Sequence, residues 1–263
     1  MAVNSIASGS ALTSPGFESM AGHNKWSKVK RLKGVADAKR AKNFAKLARE
    51  IGMAVRVAGP DPGMNPRLRM VLLKCRSSNM PADNIERTIK RAVGGDDTAQ
   101  FEELTYEVYA PGGVAVLVTI NTDNRNRTAS DIRHIVTKAG ASIASAGAVN
   151  RLFQRKGQLI ISREASNEDE LMELALEAGA EDFKVEDEGY EILTEPSQFE
   201  AVHEQIEAKN IPCLSAEITS LPLQTTGVDE HTAESLSKLV DALEENEDVS
   251  EVFTNAEVSE ESR

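Results

Sequence analysis

Charge along this chain is sorted into two blocks of opposite sign, and that sorting limits how the chain can fold. Residues 20–95 hold 18 Lys and Arg against 5 Asp and Glu, a net +13. Residues 96–263 hold 12 against 36, a net −24. The formal charge of −12 for the 263 residues is an average over two unlike parts. A shift of this size marks a domain boundary near residue 96. Cationic helix faces normally mix signs, because opposite charges one turn apart stabilise them. Here pairing acids are scarce, so the basic block repels itself and calls for something outside it. Solvation alone, nucleic-acid phosphate and the acidic remainder of the chain are the three candidates, and the imbalance favours phosphate.

The rest of the composition excludes more than it identifies. Hydrophobic residues make up 40% and aromatics 4%, which allows a packed, mostly aliphatic core. No apolar run reaches the 18 residues that a membrane span needs. Cys75 and Cys213 match no metal spacing and read as small thiols of a protein in a reducing cytoplasm. His23, His134, His203 and His231 form no ligand pair at helical spacing. Phosphate-binding loops, nucleophile elbows and dinucleotide fingerprints are all missing. We therefore expect no catalytic residue, no metal and no cofactor: a non-enzyme with no small-molecule substrate. Residues 1–19 contain no Lys or Arg, fit neither a secretory signal nor a transit peptide, and read as a disordered extension or as a start assigned upstream of Met20.

Periodicity divides the basic block into three helices. Phe44, Leu47, Ala48, Ile51, Ala54 and Val55 recur at three- and four-residue spacing. "AGPDPGMN" breaks the pattern, and Asn65-Pro66 caps a second helix with Leu68, Val71, Leu72 and Cys75 on its apolar face. A third follows Pro81, is expected to bury Ile85, Ile89 and Val93, and stops at Gly94-Gly95. Beyond residue 96, strands and helices alternate. "LTYEVYAPGGVAVLVTIN" reads as a hairpin, followed by a helix that ends at Gly140. Residues 157–221 read βαββαβ, the ferredoxin-like pattern. The hairpin before them lacks a second helix and a last strand, which the C-terminal "TAESLSKLVDALEENEDV" and "EVFTNAEV" supply. The expected fold is α+β in three domains: a helical bundle at 20–96, a discontinuous α/β domain at 97–156 plus 222–263, and an inserted ferredoxin-like domain at 157–221.

Candidate contacts to DNA or RNA follow from charge. Lys25, Lys28, Lys30, Arg31, Lys33, Lys39, Arg40 and Lys42 form the N-terminal cationic face, and Lys and Arg supply the phosphate contacts of nucleic-acid binding. Trp26 sits among them, either to stack on a base or to anchor the arm. Arg87, Lys90 and Arg91 share the polar side of the third helix, but "SSNMPADN" is not the short turn of a helix-turn-helix. Arg125, Arg127 and Thr128 in "TDNRNRT" read equally as turn chemistry or as an anion site at a helix start capped by Thr128.

Four stretches carry a resemblance. "MAGHNKWSKVKRLKGVADAKRAKNFAKLAREI", "DPGMNPRLRMVLLKCRSSNMPADNIERTIKR", "YAPGGVAVLVTINTDNRNRT" and "LFQRKG" resemble the YebC/PmpR family from Met20 to about Val258. The run from Thr122 to Thr128 is the most specific part. The resemblance implies three domains, no enzyme activity and a nucleic-acid target. Members are described as DNA-binding transcriptional regulators, and others as ribosome-associated factors or as a mitochondrial translational activator. Transcription by DNA binding is the first expectation, translation on the ribosome the second, and a protein-only adaptor the third. The chain departs from the family pattern at "GASIASAGAVN", where a different turn is expected.

Overall fold

The computed structural model describes residues 37–94 and 101–258. Among them the bundle comprises α1 (Asp37–Ala58), α2 (Pro66–Ser77) and α3 (Ala82–Gly94). Its core is Leu47, Ile51, Ala54, Val55, Leu68, Val71, Cys75 and Met80. Asn65 joins the first two helices. Its Oδ1 accepts from the Leu68 amide at 3.0 Å, capping α2. Its Nδ2 donates to the Ala54 and Gly59 carbonyls at 2.8 and 2.7 Å, satisfying the end of α1. Ile85 and Ile89 pack partly buried against this core. Val93 does not join them: it is 59% exposed, although Ala92 beside it packs against the core.

The middle domain is a four-stranded sheet with its strands in the order Ser142–Ile143, Glu102–Tyr109, Ala115–Thr122 and Val249–Thr254. Strand β1 (Glu102–Tyr109) pairs antiparallel with β2 (Ala115–Thr122), from Glu102 opposite Thr122 to Tyr109 opposite Ala115. A turn at Pro111–Gly113 joins them, with Gly112 and Gly113 at φ of 76° and 74°, a region that favours glycine. Helix α4 (Arg125–Lys138) and the two-residue β3 (Ser142–Ile143) follow. The chain returns at the far end with α7 (Glu230–Glu245) and β9 (Val249–Thr254), which pairs with β2. The discontinuity expected from sequence is therefore a matter of strand pairing. Strand β2 is buried on both faces. Val116, Val118 and Ile120 meet α4 and α7, while Ala115 and Leu117 meet Val149, Phe153 and Phe253.

Between these pieces, β4 (Phe153–Ser162), α5 (Glu168–Glu177), β5 (Asp182–Glu186), β6 (Gly189–Thr194), α6 (Phe199–Ala208) and β7 (Cys213–Pro222) form the βαββαβ unit. Its antiparallel sheet runs β5-β6-β4-β7, the ferredoxin-like order. Strand β4 starts four residues earlier than Gly157, since Phe153 already pairs with Pro222. Gly157 is required by packing: a methyl there would run into Thr194 and Phe199 as α6 crosses the sheet. A short parallel pair, β8 (Thr226–Val228) and β10 (Ala256–Val258), closes the C-terminal end.

Candidate nucleic-acid interface

The bundle carries its cations on two sides, and the sides differ. Among the described residues, basic side chains of both α1 and α2 face the acidic body. On α1, Lys42, Lys46 and Arg49 lie on one face at four- and three-residue spacing. They reach the C-terminal end of α7 and the residues just after it. Lys42 donates to the Glu245 carbonyl, Lys46 to the Glu244 carbonyl at 2.7 Å, and Arg49 to the Glu247 carbonyl. The last carbonyls of a helix have no partner within it and carry partial negative charge, so cations suit this position. Burial lowers the Lys46 pKa to about 8, partly opposed by Glu244.

On α2, Arg67 pairs with Glu103 of β1, and Arg69 pairs with Glu200 of α6. Lys74 sits where all three domains meet. Its Nζ lies 3.0 Å from Glu251 of β9 and 3.4 Å from Glu50 of α1. Burial opposes its charge, but Glu251, Glu50 and Glu217 of β7 outweigh that and hold its pKa above the ordinary value. Glu50 is shifted up, chiefly by burial. Beside Lys74, Met70 and Leu73 pack on the core of the ferredoxin-like domain.

Other basic side chains of the bundle lie on its exposed surface. Arg87, Lys90 and Arg91 on α3 are exposed, and α3 packs against α1. Lys90 has a loose partner in Glu86 at 3.8 Å. Arg40 is exposed near the start of α1, and Lys39 lies in its first turn. Lys25, Trp26, Lys28, Lys30, Arg31 and Lys33 lie outside the described residues.

The "TDNRNRT" candidate takes another form. The cap of α4 falls at Asn124, whose Oδ1 accepts from the Arg127 amide at 3.1 Å, so Thr128 does not cap the helix. Thr128 is buried one turn in and donates to Asp248 at 2.7 Å. Arg127 binds Asp123 at 2.8 Å and Asp248 at 2.9 Å, so the anion at this helix start is the protein's own carboxylate. Arg125 stays exposed, 3.5 Å from Glu102. Burial pushes the Asp248 carboxyl up, but hydrogen bonds from Arg127 and Thr128 and the charges of Arg127 and Arg49 hold it below its usual value. Asp248 thus links α1 to α4. Nothing in its local sequence marks it; a buried acid between a helix end and a strand is the only signal.

A similar internal anion orders "GASIASAGAVN". Glu107 of β1 accepts from the amides of Gly147, Val149 and Asn150 at 2.6, 2.6 and 2.8 Å. Among the described residues, no group of His, Cys, Asp and Glu is arranged to hold a metal, and no helix is long and apolar enough to cross a membrane.

Comparison with known proteins covers both parts of the chain. Residues 24–95 match the family described as TACO1/YebC protein N-terminal domain, and residues 101–256 match TACO1/YebC second and third domain. A "Probable transcriptional regulatory protein" of Rubrobacter xylanophilus is 49% identical over 92% of this chain and 97% of its own length. A protein of that name from Geobacillus thermodenitrificans is 48% identical over 91% of this chain and 98% of its own. The crystal structure of a conserved hypothetical protein from Aquifex aeolicus superposes with a TM-score of 0.76 at 45% identity, covering 86% of this chain and 94% of that one.

Proposed function

The chain belongs to the TACO1/YebC family, and we propose that it is a non-enzymatic, cytoplasmic regulator of gene expression that binds nucleic acid through its N-terminal bundle. The observation that carries this reading is the division of cations within the bundle. Those facing the body are bound to its oxygens, while Arg87, Lys90 and Arg91 of α3 are exposed, Lys90 with only a loose pairing to Glu86. Phosphate is the ligand such a row suits, and phosphate contacts fix position without reading sequence. The relatives are named probable transcriptional regulatory proteins, and duplex DNA is the target proposed on that ground. In this reading residues 20–96 are the binding unit, and 97–156 with 222–263 and the inserted 157–221 hold and orient it. Replacing Arg87, Lys90 and Arg91 with Gln should make the slope of log K against log salt shallower by about 2.7 for duplex DNA. An unchanged slope sinks this face as the binding surface.

A ribosome-associated translation factor is the second reading, and α5 favours it. Glu168, Asp169, Glu170, Glu173 and Glu177 are all exposed there, a surface suited to basic ribosomal proteins while the bundle meets RNA. Ribosome co-sedimentation, run beside DNA and RNA competition at one salt concentration, separates the two. Failure in all three assays would leave a protein-only adaptor.

A further inference from the structure

The seam between α1 and the end of α7 has properties that a permanent domain contact does not need. Its cations donate hydrogen bonds to backbone carbonyls as well as standing near carboxylates. Lys42 and Lys46 donate to the Glu245 and Glu244 carbonyls, and Arg49 donates to the Glu247 carbonyl while its nearest carboxylate oxygens stand 3.6 and 3.7 Å away. The seam is also loosely filled. A cleft of about 410 Å³ opens between Arg49, Phe101, Arg127 and Asp248. A second of about 340 Å³ lies beside Lys42, Ala45 and Lys46. Both are lined by Arg49 and Glu247, so they flank one contact from two sides.

We infer that this seam is a second phosphate-binding site, held shut by the protein's own backbone: a phosphodiester chain replaces the carbonyl oxygens of Glu245, Glu244 and Glu247 on Lys42, Lys46 and Arg49. The inference rests on the nucleic-acid reading of the bundle and adds to it a site that competes with the body. The competition follows from charge. A helix end presents the equivalent of about half a negative charge, whereas each phosphodiester presents a full one, so a cation gains more Coulomb energy from the phosphate. The geometry suits a polyanion, since residues 42 to 49 span about 10 Å along one helix face at 1.5 Å per residue. The facing groups would resist entry. Glu244, Glu245, Glu247 and Asp248 lie on the α7 side and Glu50 lies on α1, so the carbonyls must be displaced, not shared. Because α2 remains fixed through Lys74, Arg67 and Arg69, the α1 seam would open while the bundle stays attached.

The test uses the full chain with its lysines dimethylated with ¹³C, which preserves their charge and gives each a resolved signal. A short DNA duplex, a structured RNA and inorganic phosphate are titrated separately, with anisotropy reporting binding of the nucleic acids. The Lys42 and Lys46 signals should move with the same midpoint as anisotropy, and the Lys46 titration should rise from about 8 toward the ordinary lysine value. Inorganic phosphate should move them far less, because a single anion lacks the span. Equal movement with inorganic phosphate would overturn the requirement for a chain of phosphates. If anisotropy saturates while both signals stay fixed, the seam is overturned and binding by α3 survives. If no nucleic acid binds, both readings fall. As a second readout, replacing Lys42, Lys46 and Arg49 with Gln should lower the salt slope by about 2.7 for duplex DNA. An unchanged slope in a variant with normal circular dichroism also overturns the seam.

Discussion

Helices α1 and α3 lie side by side in one bundle, and both read in sequence as cationic amphipathic helices, yet their cations have different surroundings. Those in the middle of α1 are engaged with the acidic body, and those of α3 face solvent. The apolar pattern explains the difference better than the charge does. In α1, Ile51 to Val55 are all buried, so that stretch is covered on every side. In α3 no residue is fully buried, and Ile85, Ile89 and Ala92 form a single stripe against the core. A one-sided stripe marks a surface helix, and an all-round apolar stretch marks a buried one. A count of cations gives the charge of a module, but the width of its apolar arc indicates which cations stay free.

The strongest way to break this comparison is to remove the charge that fixes α2. Lys74→Ala leaves Glu50, Glu217 and Glu251 facing one another without their shared cation. Breaking a buried pair from one side costs about 3–5 kcal/mol. Denaturant unfolding should show that loss, with the bundle separating from the body before the body unfolds. A loss below about 1 kcal/mol would mean the domains are held by apolar contact alone.

The second test places the same truncation on the two helices. Ile51→Ala removes a fully buried side chain and should cost about 2–5 kcal/mol. Ile89→Ala removes a partly buried one and should cost about 1 kcal/mol. Equal losses would contradict the two-sided burial of α1.

What sequence could supply is clear from these same elements. The strand–helix alternation of residues 157–221 was legible because period-two and period-3.6 patterns are local properties of the chain. The return of β9 to β2 was legible as an unfilled position in the hairpin domain. Other features depended on distant partners. Val93 fits the apolar stripe of α3, but it stays largely exposed. Asn124 and Thr128 are both good capping types, and Asp248, 120 residues beyond Thr128, draws Thr128 inward and leaves the cap to Asn124. Lys42 looked like its neighbours in the N-terminal cationic face, and only the fold brings Glu245 to it.

A third prediction concerns that long-range acid. Asp248→Asn weakens contacts to Arg127, Thr128 and Arg49 and should cost about 2 kcal/mol near neutral pH. The wild-type carboxyl has a lowered folded pKa, so its contribution is fully present above the ordinary value of 3.8 and is lost as pH falls through the lower folded value. Stability curves of wild type and variant should therefore converge in acid. Parallel curves would show that the Asp248 charge is not the cause.

The smallest expected effect sharpens the comparison most, because it acts on one lysine at the seam. Burial lowers the Lys46 pKa from 10.5 to about 8, so at neutral pH its charge is held at a cost. The unfolded chain binds this proton more tightly than the folded one, so the Lys46 contribution to stability rises with pH between about 8 and 10.5. Other groups oppose it in that range. Burial raises the thiols of Cys75 and Cys213 to about 12, so unfolded thiols ionise first and stability falls with pH on their account. Lys74, with a raised pKa, keeps its contribution below its ordinary value and loses it only as pH rises through the higher folded one. The difference between wild type and Lys46→Met isolates the Lys46 contribution. At pH 7 the variant should be more stable by about 1 kcal/mol, since an apolar side chain of similar length avoids the charge burial. The advantage should shrink toward pH 10 as wild-type Lys46 loses its proton. The same variant should bind duplex DNA more weakly, because a tighter seam that lacks one cation is harder for phosphate to enter. A variant less stable at pH 7 would mean that the bond to the Glu244 carbonyl outweighs the burial of charge, and that the seam is a fixed joint.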